Sequence, residues 1–357
     1  MRQIWISKSG PPEVLVIKEA PDPHPAAGEL RIRVEACGVN FADIMGRLGL
    51  YPDLPRIPVV PGYEVAGRVD GAGDGVDVSW VGRDVFASTR FGGYADVACV
   101  PQAQVFQRPP NMSAQEGASI PVNYLTAWQL IVVMGGLKAG ETVLVHSAGG
   151  GVGIAATQIA KHIGAKVIGT ASVGKHAELR ALGVDHLIDY RTEDFEERGR
   201  QITGGRGVEL ILDAVGGDSL KKGYRLLAPT GRLGMFGASS AATGKGPGYL
   251  GMVSMLANTP WVQFNPLSLM NAPTRGSLAS TWDTCGASST ACGPGWISLW
   301  VCGKMARSSR RSPASSSSTK PRRPIISFRT ARTSARCCSR PKSGFLSVMG
   351  SACAREQ

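Results

Sequence analysis

The chain predicts an α/β protein: an antiparallel, barrel-like β domain followed by a doubly wound parallel sheet wrapped by helices. Three observations carry this. Over about the first 110 residues, short β-branched runs alternate with Gly, Pro and Asp punctuation, the pattern of strands joined by turns. From Pro121 onward, strand-like runs alternate with helical ones, which implies parallel strands linked by helical crossovers. Hydrophobic residues make up 43% of the 357 positions and charged ones 18%, a composition that buries a core and suits about two domains of ~150 residues.

Taken in order, the β-branched runs predict strands at Glu13 to Glu19, Leu30 to Ala36, Glu64 to Asp70 and Tyr94 to Val100. The second texture predicts strands at Thr142 to His146, Lys166 to Thr170, His186 to Asp189 and Val208 to Asp213, with helices at Gly151 to Ile163 and near Lys175 to Leu182. A composition change at Pro273 sets the last boundary, so the expected parts are residues 1–120, 121–272 and 273–357.

The net charge of +12 suggests nucleic acid or a membrane surface until it is divided along the chain. Residues 1–272 hold 25 basic and 25 acidic side chains, whereas 273–357 hold 14 and 2. Cysteine divides similarly: Cys37 and Cys99 lie in the body, the other six after Pro273. Two cysteines in so large a body fit a reducing compartment and argue against a disulfide framework. No apolar run reaches the ~18 residues of a membrane helix, and the amino terminus lacks a secretory h-region, so the expected location is cytoplasmic.

The sharpest motif is VLVHSAGGGVGIAATQIAKHIGAKVIGTAS, residues 143–172. An apolar strand runs into Gly149, Gly150, Gly151, Val152 and Gly153, where a helix starts. Glycines let the backbone turn tightly and approach a pyrophosphate, whose charge then meets unpaired amides at the positive helix end. A glycine cluster alone marks only a tight turn; the strand before it and the helix and strand after it make dinucleotide binding the reading. An NAD site places an acid about 20 residues beyond the glycines. Here Gly169 to Ser172 hold none, and the first acid is Glu178. Ser172 and Lys175 instead suit a 2′-phosphate, so NADP(H) is the expected cofactor. Alone, Lys175 reads as a solvated helix residue. His146, inside an apolar strand, reads as a satisfied structural histidine.

The segment ACGVNFADIMGRLGLYPDLPRIPVVPGYEVAGRV, residues 36–69, together with GGYADV at 92–97 and AGGGVG at 148–153, resembles the medium-chain dehydrogenase/reductase superfamily. The branch it resembles is that of the zinc-independent quinone oxidoreductases, which includes synaptic vesicle amine transport protein homologues, and the likeness covers residues 1–272. The resemblance implies a GroES-like β domain plus a Rossmann domain, with the active cleft between them, and a homodimer for an in-frame chain. Asn40 stands where the family's zinc enzymes carry a ligand Cys, and Tyr63 where they carry a ligand His; neither is a usual zinc ligand, so no metal is expected. The same resemblance has Asn40 and Tyr51 holding the carbonyl of a quinone or enone, with Asp43 tying down the loop, and Asn123 and Thr126 near the nicotinamide. It also has Tyr190 on the adenosine 2′-phosphate and the chain at Gly237 passing the nicotinamide. Plainer readings stand beside these: a helix cap for Asp43, helix-start chemistry for Asn123 and Thr126, and a surface aromatic for Tyr190. The alternative function is a non-catalytic NADPH-binding protein of the same fold, associated with lipid or membrane.

The tail reads as a basic arm or as mistranslated DNA. Residues 319–341, written with one choice of synonymous codons and regrouped from each third base, read EAAEAHHFIQDRENIGKVLLTP, which resembles the family's usual carboxyl end. The same offset over 273–288 gives NKGVFGVNLGHVWGE. A frameshift near Ala272 is therefore expected. The tail's charge then carries no message, and nucleic acid is not an expected partner.

Overall fold

In the computed structural model the described residues are 1–242, 276–279 and 337–339. They divide between two compact units, one holding residues 1–123, 237–242 and 337–339 and the other 124–236 and 276–279.

In the first unit, β1 (Arg2–Ile6) and β2 (Leu15–Glu19) form an antiparallel ribbon. The main sheet is antiparallel and built on β3 (Glu29–Gly38), which pairs with β4 (Glu64–Ala72) on one side. A helix, α1 (Phe41–Arg47), intervenes between these two strands. Beyond β4 come β5 (Asp84–Ser88) and then β7 (Val105–Gln107), while β6 (Val97–Pro101) pairs with the first part of β3. The strand Cys337–Ser339 joins the end of β3. Leu30, Ile32, Val65, Val85 and Val100 fill the interior and are essentially unexposed. Each such side chain contributes about 1.5–3 kcal/mol by leaving water. A short helix, α2 (Ala114–Ala118), closes the unit. Ser113 and Glu116 cap each other reciprocally at its start, which satisfies two amides that the first turn leaves open. The chain then enters α3 (Pro121–Trp128), which continues as a wide π-type turn over Gln129–Met134.

The second unit alternates β8 (Thr142–Val145), α4 (Gly151–Ile163), β9 (Lys166–Thr170), α5 (His176–Leu182), β10 (His186–Ile188), α6 (Phe195–Ile202), β11 (Val208–Asp213), α7 (Asp218–Leu226) and β12 (Leu227–Met235). All strands are parallel, in the order β10-β9-β8-β11-β12, with Gly276–Ala279 at the far edge. Counted from β8 this is 3-2-1-4-5-6, the doubly wound order that binds dinucleotides where the strand order reverses, beside β8 and β11. β11 is buried at every position, as expected of a strand covered by helices on both faces. Gly164, at φ 90°, and Gly183, at φ 107°, end α4 and α5 in the left-handed conformation that only glycine adopts without strain.

The α/β class and the order of its two textures agree with the sequence reading, and α4, β9 and β11 match it to the residue. Differences have local causes. β2 starts at Leu15 because Pro12 opens a 3-10 turn through Val14. β6 starts at Val97 because Tyr94 spends its main chain on Pro61 and Ile4, outside the ladder. The helix near Lys175 begins at His176, after a 3-10 turn at Val173–Lys175. The expected non-native tail lies outside the described residues, apart from the two short strands at 276–279 and 337–339.

Candidate functional site

The candidate nucleotide loop grows from β8. After Val145 the chain passes His146 and reaches Ser147, an exposed residue at φ 53°. The Gly150 amide donates to the Ser147 carbonyl at 2.8 Å, and the Ala148 amide donates to the Thr170 carbonyl at 3.0 Å. These bonds fix the loop against β9. Gly150 caps α4 in extended conformation, so the amides of Gly151, Val152 and Gly153 open the first turn without intrahelical acceptors. A Cβ on Gly153 would lie 2.4 Å from the Ser147 oxygen and 2.7 Å from the Ala148 Cα; only hydrogen lets helix and strand approach this closely. The Lys175 stem crosses Gly149, where a Cβ would meet its Cδ at 2.6 Å, and its Nζ lies 3.4 Å from the Gly149 oxygen. A positive helix end, open amides and a lysine form a donor set that fits a phosphorylated dinucleotide.

Around it, Ser172 starts the 3-10 turn and accepts from the Lys175 amide at 2.9 Å through its carbonyl. Tyr190, exposed after β10, has the Arg191 guanidinium 5.9 Å from its ring centre. Sequence reasoning passed over Arg191, although its cation directly follows the singled-out tyrosine. It also passed over Asp213, the fully buried end of β11, which accepts from the amides of Val215 and Gly216 and from the Ser219 hydroxyl. His146 departs from the expected satisfied state. Its Nδ1 lies 3.2 Å from the Thr170 hydroxyl and its ring packs edge-on against Phe195, but Nε2 is buried with no hydrogen-bond partner among the described residues. Burial holds its pKa below the ordinary value, against a smaller opposing pull from Asp213.

The β domain carries a second cluster of candidate residues. Asn40 stands at the N-cap of α1 and Asp43 answers it: the Asn40 main-chain carbonyl accepts from the Asp43 amide at 3.1 Å, and Asp43 Oδ2 accepts from the Asn40 amide at 2.8 Å. The helix-cap reading of Asp43 is thus what its geometry displays. Its other oxygen accepts from the Gly62 amide at 3.1 Å, which ties α1 to the segment entering β4. Asn40 Nδ2 donates to Glu64 Oε1 at 2.9 Å, and the Val122 amide donates to Glu64 Oε2 at 2.9 Å. Both carboxyls are buried. Burial raises Asp43 to about 7, against hydrogen bonds from Asn40, Tyr94 and Gly62. Burial also raises Glu64 to about 8, against those from Val122 and Asn40, and the nearby Asp43 charge adds to the rise. Glu64 was missed as a site residue; the one signal was a lone carboxylate in the apolar run VVPGYEVAG.

Tyr63 is buried, its ring centre 6.1 Å from that of Tyr51 and 5.3 Å from that of Phe91. Asn40, Asp43 and Tyr51 therefore belong to one neighbourhood of the first unit. Asn123, on α3, gives its side-chain amide to the Ser119 carbonyl at 2.8 Å, and Thr126 is half-buried one turn further on. Gly237 follows the end of β12, just after Phe236, whose amide donates to the Asp213 carbonyl at 2.9 Å. Among the described residues no cluster of three or more His, Cys, Asp or Glu side chains is placed to hold a metal ion.

Comparison with known proteins agrees with both halves. Residues 26–110 match the alcohol dehydrogenase GroES-like domain, and residues 151–263 match the family described as zinc-binding dehydrogenase. A mouse synaptic vesicle membrane protein VAT-1 homolog is 42% identical over 253 residues, 71% of this chain; the match spans only 61% of that relative's length. A quinone oxidoreductase from Pseudomonas syringae superposes with a TM-score of 0.71 at 30% identity, covering 85% of this chain and 89% of that one. The Escherichia coli quinone oxidoreductase complexed with NADPH gives 0.70 at 30% identity, covering 84% and 87%. The chain belongs to the medium-chain dehydrogenase/reductase superfamily, in its quinone oxidoreductase-like branch. Its β domain is of the GroES-like type and its parallel sheet of the Rossmann type.

Proposed function

We propose that residues 1–272 carry an NADPH-dependent reductase of quinones or other α,β-unsaturated carbonyls that works without a metal. The observation carrying this is the glycine loop, with Lys175 across it and no acid from Gly169 to Ser172. The likeness to an enzyme solved with NADPH supports the same cofactor. Gly149 to Gly153 hold the pyrophosphate on open amides, and Lys175 and Ser172 receive the 2′-phosphate, with Tyr190 beside them. Bound NADPH supplies the hydride. Asn40 and Tyr51 hold the acceptor oxygen by donating to it, which stabilises the negative charge that grows there as its ring or alkene carbon is reduced. A proton from water or a hydroxyl completes the product. Enones and quinones accept hydride readily, so hydrogen bonds and positioning suffice. Tyr63, packed between aromatic rings where zinc relatives carry a ligand His, supports metal independence.

Replacing Lys175 with Ala is expected to weaken NADPH binding about 10-fold or more while leaving NADH nearly unchanged, since a charge-assisted bond contributes about 1.5–3 kcal/mol; a fluorescence titration with both nucleotides measures it. Replacing Asn40 with Ala is expected to lower kcat for 9,10-phenanthrenequinone at least 10-fold with NADPH affinity intact. If NADPH binds tightly and no quinone or enone is turned over, the non-catalytic reading suggested by the vesicle-protein relatives replaces this one. No helix among the described residues is long and apolar enough to cross a membrane.

We also infer that residues 273–357 are read out of frame, as the codon regrouping supports. Resequencing the gene across the codons for Leu269 to Gly276 tests it. An in-frame chain is expected to dimerise and to act in the cytoplasm.

A further inference from the structure

We propose that Glu64 is a positioning residue that fixes the amide of Asn40, so that one defined N–H of Asn40 faces the carbonyl acceptor. This rests on the reductase reading above. An asparagine amide has two ends that can exchange places by rotation, and only one of them donates. Here the donor end is assigned: one N–H goes to Glu64 Oε1 at 2.9 Å, while the Asp43 amide is met by the Asn40 main-chain carbonyl at 3.1 Å, so Glu64 is what sets the side chain's orientation. No described residue takes the second N–H. The other Glu64 oxygen is committed to the Val122 amide at 2.9 Å, a main-chain donor that cannot turn. Gly38 makes the berth: a Cβ there would lie 2.1 Å from Glu64 Oε1. The carboxylate is thus clamped between strand, helix start and cap, with 1% of the residue exposed. The other titratable groups of this cluster are Asp43, which faces Glu64, and Tyr94, which hydrogen-bonds Asp43; none is a cation, so the donors on Glu64 are amides.

At pH 9, where Glu64 is ionised, Glu64→Gln replaces one acceptor by a donor. The oxygen must serve Val122, the new NH2 then faces Asn40, and the Asn40 amide turns over. The expected result is a fall in kcat with 9,10-phenanthrenequinone of about 10- to 100-fold, with KM for NADPH unchanged. In an Asn40→Ala background the same change is expected to cost nothing further, because Glu64 acts through Asn40. An additive loss, or a full-speed E64Q enzyme, overturns the proposal. Should E64Q fold poorly, the unmutated full chain labelled with [15N]asparagine still decides. Its Asn40 side-chain amide signal, assigned by its loss in Asn40→Asp, should show one of the two amide protons downfield and protected from exchange with solvent, because that proton is held by Glu64 Oε1; two protons that exchange alike and resonate together overturn the proposal. If the parent chain oxidises no NADPH with the quinone, the reductase reading fails, and this amide signal alone judges Glu64.

Discussion

Replacing Gly153 with valine is expected to abolish NADPH binding, with a loss of at least 100-fold in affinity. The Cβ would sit 2.4 Å from the Ser147 oxygen and 2.7 Å from the Ala148 Cα. Both are backbone atoms held by the loop's own hydrogen bonds, so the helix must move away from the strand and carry its amides off the phosphate position. A 100-fold loss corresponds to about 2.7 kcal/mol, modest beside the displacement required. Two neighbours calibrate the effect. Gly149→Ala meets only the flexible Lys175 stem and should be milder, and Gly174→Ala has nothing within 4 Å and should be silent. Titration of nucleotide fluorescence across the three variants gives the ranking; NADPH binding by the valine variant at the parent affinity would refute the assignment of the loop.

Stability is expected to fall by about 2 kcal/mol between pH 6.5 and 8. Asp43 rises from 3.8 to about 7, and Glu64 from 4.5 to about 8, both through burial. A carboxyl whose pKa is higher folded than unfolded binds its proton more tightly in the native state. It therefore adds stability at low pH that is lost as pH climbs toward the folded value. Most small proteins show the reverse through paired surface carboxylates such as Asp185 and Glu141, which are held low here by Lys161 and Arg232. Those finish titrating well below pH 6.5. His146, held neutral by burial, destabilises the fold only as pH drops below its ordinary value of 6.5. The window above 6.5 thus isolates the two buried acids. Urea midpoints at pH 6.5, 7, 7.5 and 8 give the slope, and a midpoint that is flat or climbing across them would show that Asp43 and Glu64 are ionised throughout.

Much of the nucleotide half was legible because its signals are local. β8, the glycines and α4 are contiguous, so Gly149 to Gly153 stand out with the strand before them and the helix after; Lys175 stands out only together with the missing acid at the end of β9, and the strand order is not written in the linear pattern at all. The β domain is less transparent. β1 pairs with β2 but also bridges to Val59 and Ala95, far along the chain, and Asn40, Glu64 and Val122 meet although they stand 24 and 58 residues apart. Nothing in a linear pattern reports that Gly38 leaves room for the Glu64 carboxylate. Asn40 and Asp43 were legible only as a cap or through family likeness; their bonding to Glu64 and Gly62 is a product of folding. His146 shows the same limit from the other side, since apolar neighbours in sequence say nothing of whether Nε2 finds a partner.

Ser147 carries a consequence for stability. A serine at φ 53° pays about 1–2 kcal/mol for a bend that glycine adopts freely. The bond from its amide to the Thr170 hydroxyl belongs to the main chain and survives loss of the side chain. Ser147→Gly is therefore expected to leave the loop's shape intact and to raise the urea midpoint, by no more than about 1 kcal/mol once the extra freedom of glycine in the unfolded chain is counted.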